Sequence, residues 1–439
     1  MSNNAQSNVT DRPTAESSLY SWLTYLQELH SRDIDLGLQR VRAVLDKAGL
    51  GRPASYVITV AGTNGKGSTV RYLETMLAAA GYRVGVYTSP HLQDYNERVT
   101  ISGQQLQDQR HCQAFAAIDQ ARGETSLTYF EFGTLAALWL MEQQPLDVAI
   151  LEVGLGGRLD AVNVIDADVA VLTSIGIDHV AFLGDNREQI GAEKAGIART
   201  AKPLICGDPQ PPSSVAAQAQ QLGALYYRVG HDFSFTEHKD HWHYRGIESN
   251  LLQLPLPELP LMNAATALAA LETLPLAVSA DAIDEGLRTA RLSGRMQSCQ
   301  HNGCDVLLDV AHNAQAAAYL ARQLTKRSRR GPVYAVVGML EDKDHQAVFA
   351  QLQGVISQWF LGSLDEPRGH SAQHLAEALG NTEGNAPQQC FASVEAAFDA
   401  ALQAAQGYQA QAESETEKPL VFVFGSFYTV SRINQQLRS

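Results

Sequence analysis

No stretch of this sequence approaches the roughly 20 apolar residues needed to cross a bilayer. Its first eighteen residues are polar, without the apolar core of a leader peptide. A basic excess is missing as well. There are 33 Lys and Arg against 47 Asp and Glu, for a formal charge of -14. That balance argues against the broad cationic face a nucleic acid demands, while local basic sites for small anions remain open. Cysteine is scarce. Cys112, Cys206, Cys299, Cys304 and Cys390 are odd in number and form no CxxC pair, which suits reduced thiols in a cytosol and lends no support to a disulfide framework or a zinc site. These absences together predict a soluble, cytoplasmic protein with a frayed N-terminus, no nucleic-acid partner and no membrane.

What is present is length and alternation. A chain of 439 residues is too long for one ordinary core and points to two domains. After a helix expected near 19–30, buried-strand runs at 56–60, 83–87, 147–152 and 168–173 alternate with helical patterns at 67–80, 106–122, 130–143 and 187–198. This is the signature of an α/β fold with a mostly parallel sheet covered on both faces. The aromatic segment 226–254 reads as a small antiparallel flap, with alternation at 241–244. A second series follows at 305–309, 333–337, 359–361 and 420–424, in a smaller Rossmann-like domain with its own core. The seam is expected at 293–297, where Gly294 interrupts a helical pattern, giving domains 1–294 and 295–439. The polar stretch 409–418 reads as a solvated loop or helix end.

The most informative segment is 57–69, Val-Ile-Thr-Val-Ala-Gly-Thr-Asn-Gly-Lys-Gly-Ser-Thr. A buried strand runs into glycines, a lysine and two hydroxyls at a helix start, which makes a phosphate cradle: main-chain N–H groups converge, the helix N-terminus adds its dipole, and Lys66 adds a point charge. The spacing is irregular. The usual phosphate loop has glycine six residues before the lysine and a hydroxyl directly after it, where this chain has Val60 and Gly67. A tight turn alone would account for the glycines but not for Lys66 with Ser68 and Thr69. Other strand ends carry chemistry as well. Glu152 opens a turn with glycines at 154, 156 and 157, where a carboxylate can reach magnesium on the β and γ phosphates, and Asp178-His179 follows the next strand. Ser89-Pro90-His91-Leu92 offers a hydroxyl. Lys194 reads as an ordinary helix lysine on spacing alone.

A triphosphate, ligands for a hard cation and an imidazole in one crevice suit ligation. A carboxylate attacks the γ phosphorus, an amine attacks the resulting acyl phosphate, and phosphate leaves. A second domain closing over the site would exclude water. A phosphate-loop kinase and a nucleotide-gated binding protein are the competing readings.

As a set, Ala61-Gly62-Thr63-Asn64-Gly65-Lys66-Gly67-Ser68, the 89–92 turn, the 152–160 turn, Asp178-His179, Glu193-Lys194-Ala195-Gly196-Ile197 and Leu308-Asp309-Val310-Ala311-His312-Asn313 resemble the folylpolyglutamate synthases, in particular the bacterial enzymes that are also dihydrofolate synthases. The family is related to the Mur ligases and shares the glycine between lysine and serine. The resemblance implies an ATP- and Mg2+-dependent ligase that joins L-glutamate to dihydropteroate and to reduced folates. A synthase with polyglutamylation alone is the nearest alternative. It implies that Asn64, Gly65, Lys66, Gly67 and Ser68 hold ATP phosphates, with Asn263, Arg295 and Asp309 also contacting ATP. Ser89, Glu152 and His179 would ligate two Mg2+ ions. Lys66, His179 and Lys194 would serve catalysis, with Lys194 carried as N6-carboxylysine. Thr128, Tyr129, Phe130, Glu131, Leu159, Asp160 and Ala161 match dihydropteroate-binding segments, where an aromatic pair beside a carboxylate suits a flat pterin. For these residues a helix N-terminus with core aromatics stays an equal reading. His312, Lys343 and Ser426 match glutamate-side and closure positions. Val162 departs from the threonine expected before Asn163, and a monomer is implied.

Overall fold

Among the described residues the strands form three sheets, and in the two larger ones buried apolar runs make the strands and helices cover them. The computed structural model describes residues 12–32, 34–327, 331–366, 368–380, 386–410, 414 and 417–438. Residues 1–11 of the expected frayed terminus, and 411–413 and 415–416 of the polar stretch, lie outside that set. The terminal residues that are described are tied down. Arg12 pairs with the buried Asp119, and Trp22 Nε1 donates to Thr14 O at 2.8 Å. The chain divides into two units, Met1–Ala290 and Arg291–Ser439.

In the first unit the strands are β1 (Tyr56–Ala61), β2 (Val84–Tyr87), β3 (Val99–Ile101), β4 (Gln104–Gln105), β5 (Val148–Glu152), β6 (Val169–Leu172), β7 (Pro203–Cys206) and β8 (Leu225–Arg228). They lie in the order β4-β3-β2-β5-β1-β6-β7-β8. All pairings are parallel except β2 with β3 and β3 with β4. The parallel strands are buried throughout in β2, β5 and β6, as expected where helices cover both faces. Register decides where the loops emerge. Val60 lies level with Glu152, Ala61 with Leu172, and Tyr87 with Leu151. The segments after β1, β2, β5 and β6 therefore all leave the sheet at its carboxyl edge, where open α/β sheets place ligands.

Strand expectations held to within a residue or two, with one reassignment. The flap expected over 226–254 loses its first strand, because Leu225–Arg228 extends the large sheet in parallel with β7. The remainder forms a separate antiparallel sheet of β9 (Ser234–Glu237), β10 (His241–Arg245) and β11 (Asn250–Pro255), with β10 central. Glu272 anchors it, accepting from the amides of Ile247 (2.7 Å) and Ser249 (3.0 Å) and from the Tyr244 hydroxyl (3.1 Å).

The second unit holds β12 (Gln297–His301), β13 (Cys304–Asp309), β14 (Val333–Val337), β15 (Gln358–Gly362), β16 (Gln388–Phe391) and β17 (Leu420–Phe424), ordered β12-β13-β17-β14-β15-β16. Only β12 is antiparallel, to β13. Its own core packs Leu307, Ala335, Leu361, Phe422 and Phe424 against the helices Ala314–Lys326 and His345–Leu352.

Candidate active site

Gly65 is the N-cap of the helix Lys66–Ala79 at φ +91°, a left-handed conformation that favours glycine. A Cβ there would stand 2.6 Å from Asn263 Oδ1, so the Asn263 amide packs directly against the cradle. Gly65 itself has no side chain to cap this helix. The loop is laced to the segment after β6. Thr63 N donates to Ser174 O (2.6 Å), Thr173 Oγ1 and Ser174 Oγ donate to Asn64 O (2.7 and 3.0 Å), and Thr63 Oγ1 donates to Gly176 O (3.0 Å). Those bonds hold the cradle against the stretch that leads to His179.

Lys66 Nζ donates to Gly62 O (3.3 Å) and Thr63 O (3.4 Å), and Lys194 Nζ donates to the same Gly62 oxygen at 3.0 Å. Two amines more than a hundred residues apart in sequence thus share one carbonyl. Lys194 is 4% exposed, on the helix Arg187–Ala195. Burial, reinforced by the Lys66 charge, brings its ammonium down to about 7, against the pull of Asp178, Asp160 and Glu193. Lys194, an ordinary helix lysine on spacing alone, is therefore a buried amine whose charged form is disfavoured.

The glycine turn after Glu152 does not face a ligand where its glycines are tightest. A Cβ at Gly157 would sit 2.8 Å from Lys194 O and 2.9 Å from Glu193 O. One at Gly154 would sit 2.6 Å from the Phe130 ring. The small residues admit a helix end and an aromatic face. Arg158 N donates to Glu193 O (2.9 Å), which seats the turn on the helix bearing Lys194. Asp160 is buried and accepts from Leu155 N (2.8 Å) and Val162 N (3.0 Å), and burial pushes its carboxyl up to about 7 against those amides.

A cavity of about 250 Å³ collects every expected acceptor residue: Thr128, Tyr129, Phe130, Glu131, Leu159, Asp160 and Ala161, together with Ser89 and His179. His179 stands at its wall with φ 51° and ψ 43°, a left-handed backbone uncommon for residues other than glycine, though less so for histidine than for most. Residues 128–131 form a helix N-terminus that lines this cavity. Thr128 and Glu131 form the capping box of the helix Tyr129–Glu142, and Arg40 pairs with Glu131 at 2.9 Å. Ile34, Asp35, Leu36, Pro90, Arg98, Gly154 and Leu155 complete the lining, and of these only Pro90, in the 89–92 turn, and the 152–160 turn had a sequence signal. The Arg98 guanidinium lies 5.4 Å from the ring centroids of both Tyr95 and Tyr129, and Arg98 Nε donates to His91 Nδ1 at 2.9 Å. Burial and that cation hold His91 down at about 4.

In the second unit, Asp309, Phe424 and Val337 lie level at the carboxyl edge. His312, Ser426 and Lys343 follow the ends of those three strands in sequence, each on the segment leaving that edge. Asp309 accepts from Met296 N and Ala311 N (both 2.9 Å), and burial raises its carboxyl despite Arg295. The Arg295 guanidinium lies 5.5 Å from the Phe427 ring centroid. Lys343 Nζ is 3.5 Å from Asp342, and His312 Nδ1 contacts Val310 O at 2.8 Å. Ser426 is buried, accepts from Thr429 N at 3.0 Å, and Thr429 Oγ1 in turn donates to Gly338 O at 2.7 Å.

The Mur ligase middle domain family matches residues 60–251, and the Mur ligase glutamate ligase domain family matches residues 294–427. A dihydrofolate synthase/folylpolyglutamate synthase of Escherichia coli is 50% identical over 421 residues, 96% of each chain. The structure of E. coli FolC in complex with DHPP and ADP superposes with a TM-score of 0.91 at 48% identity, over 97% of this chain and 99% of that one. A bifunctional folylpolyglutamate synthase/dihydrofolate synthase with Mn, AMPPNP and L-glutamate bound gives 0.88 at 48% identity, over 97% and 100%.

Proposed function

The chain belongs to the Mur ligase family, among the bacterial dihydrofolate synthase/folylpolyglutamate synthases, and on that footing we propose that a single centre at the cradle serves both dihydropteroate and reduced-folate acceptors. The activity is ATP-dependent ligation of glutamate. The observation that carries the reading is the cavity that joins the acceptor segments to Ser89 and His179.

The acceptor carboxylate attacks the γ phosphorus and ADP leaves. The glutamate amine then attacks the acyl phosphate carbonyl and phosphate leaves. Asn64 to Ser68 hold the phosphates, with the helix dipole and the Lys66 ammonium opposite the charge that builds in both steps. Asn263, packed on Gly65, positions the nucleotide, and we assign Arg295 and Asp309 to it as well. Tyr129 and Phe130 supply flat faces for the pterin, while Asp160 holds the 154–162 turn that walls it. We assign the hydroxyl of Ser89, the carboxylate of Glu152 and the imidazole of His179 to a donor set whose chemistry would suit Mg2+ or Mn2+. Bound there, such a cation would supply neutralisation of phosphate charge. We infer a second cation served by Lys194 as N6-carboxylysine: a buried amine brought down to about 7 has the neutral form that carbon dioxide requires. His312, Lys343 and Ser426 are assigned to the glutamate side. We also place the protein in the cytoplasm, as a monomer carrying the five free thiols; among the described residues no helix is long and apolar enough to cross a membrane.

The test is phosphate release from Mg-ATP and glutamate with dihydropteroate or tetrahydrofolate as acceptor, with hydroxylamine as trap. Release with both acceptors, and a hydroxamate in the absence of glutamate, is expected. Release on tetrahydrofolate alone would remove the shared centre, and a phosphorylated product stable to hydroxylamine would indicate a kinase.

A further inference from the structure

The antiparallel sheet carries a feature that ligation does not use. His238, His241 and His243 each offer a ring nitrogen, and these three atoms lie within 4.8 Å of one another. The hairpin geometry explains the convergence. His238 N donates to His241 O at 2.9 Å, closing the turn around Lys239 and Asp240, so the two residues oppose each other across it. His243 is two residues along β10 from His241 and faces the same way. The intervening Trp242 and the following Tyr244 are fully buried on the opposite face, with Trp242 against Phe235. Alternation thus sends the aromatic residues into the unit and stacks three imidazoles on the outer face. Ring centroids are 4.6 Å apart for His238 with His241 and with His243, and 5.0 Å for His241 with His243.

We propose that this face is a transition-metal site, a three-histidine seat for Zn2+ or a similar late first-row divalent cation. Tetrahedral zinc with Zn–N bonds of about 2.0–2.1 Å brings its nitrogens to about 3.3 Å. Side-chain rotation on a backbone already fixed by the β9–β10 ladder covers that difference. Three imidazole donors select this class of cation, whereas the donor set assigned at the cradle, one imidazole beside a hydroxyl and a carboxylate, suits Mg2+ or Mn2+. Asp240 supplies the outer contact: its Oδ1 lies 2.7 Å from His241 Nδ1. Such a carboxylate fixes the tautomer so that Nε2 is the nitrogen left for the metal. Bound there, the cation ties the turn to the next pair along the hairpin and leaves a fourth position for water.

The experiment titrates Zn2+ into the chelator-treated full chain by calorimetry, with Mg2+ in excess to occupy the hydroxyl, carboxylate and imidazole donors assigned at the cradle. One tight equivalent is expected in the parent. It should be absent in His243→Ala and in His238→Ala, the latter at an exposed position that cannot disturb the core. Asp240→Asn should weaken it about 10- to 100-fold, and all three variants should ligate glutamate with Mg-ATP at the parental rate. Unchanged stoichiometry and affinity in both alanine variants would overturn the site.

Discussion

His179 is held in a left-handed conformation at the mouth of the acceptor cavity, and such a backbone costs a β-carbon-bearing residue about 1–2 kcal/mol. His179→Gly relieves that strain and adds about 0.5–1 kcal/mol of chain entropy lost on folding. Its melting temperature should therefore stay level or rise by a few degrees while phosphate release disappears; parental turnover would remove the residue from the mechanism. Lys194 makes a separate prediction. Its folded pKa of about 7 lies below the unfolded 10.5, so between those values the folded chain binds fewer protons than the unfolded one. Stability from this group must then rise with pH across that window and be lowest below about 7. Denaturant melts in CO2-free buffer should show this slope in the parent and lose it in Lys194→Met. Lys194→Ala should be inactive and partly rescued by small carboxylates that replace a carbamate. Full activity without them would refute the role.

At the level of elements, the turn after β5 acts as a spacer. Gly157→Ala puts a methyl against the backbone carbonyls of Glu193 and Lys194, and overpacking of this kind costs about 1–3 kcal/mol. The shifted helix end moves Lys194, so kcat should fall at least tenfold while the KM for ATP changes little; an unchanged kcat would deny the coupling. Glu272 tests the flap by contrast. Glu272→Ala strands the amides of Ile247 and Ser249 and the Tyr244 hydroxyl, which should lower the melting point while ligation persists. Strand ends with their motifs were legible because a buried run followed by glycine, lysine or an acid is a local signal. Asn263 was reached only by resemblance, since nothing in the neighbouring sequence tells that its amide lies on Gly65. Arg98 and residues 34–36 went unread, being a lone cation and a patternless link. The alternation of 225–228 is identical in the large sheet and in a flap, and only pairing with β7 distinguishes them. The glycines at 154 and 157 announced a close approach but not that Phe130 and a helix end make it.

Across the molecule, both units carry candidate residues on segments leaving strand ends that lie level to within a residue, at Ala61, Glu152 and Leu172 in one and at Asp309, Val337 and Phe424 in the other. The acidic net charge of -14 leaves the cradle with its two lysines as a local exception, so ionic strength should affect nucleotide binding more than melting. Raising salt from 50 to 500 mM should increase the KM for ATP several-fold with little change in melting point, and an insensitive KM would argue against a charge-steered cradle. The level register also makes each sheet one-sided: the turns that enter β5 and β6 lie at the rim far from the chemistry. A reporter peptide grafted between Gln143 and Gln144, ahead of β5, should leave ligation intact. The same graft between Gly156 and Gly157 should abolish it, so the far rim is the place to tether this enzyme to a surface or a dye.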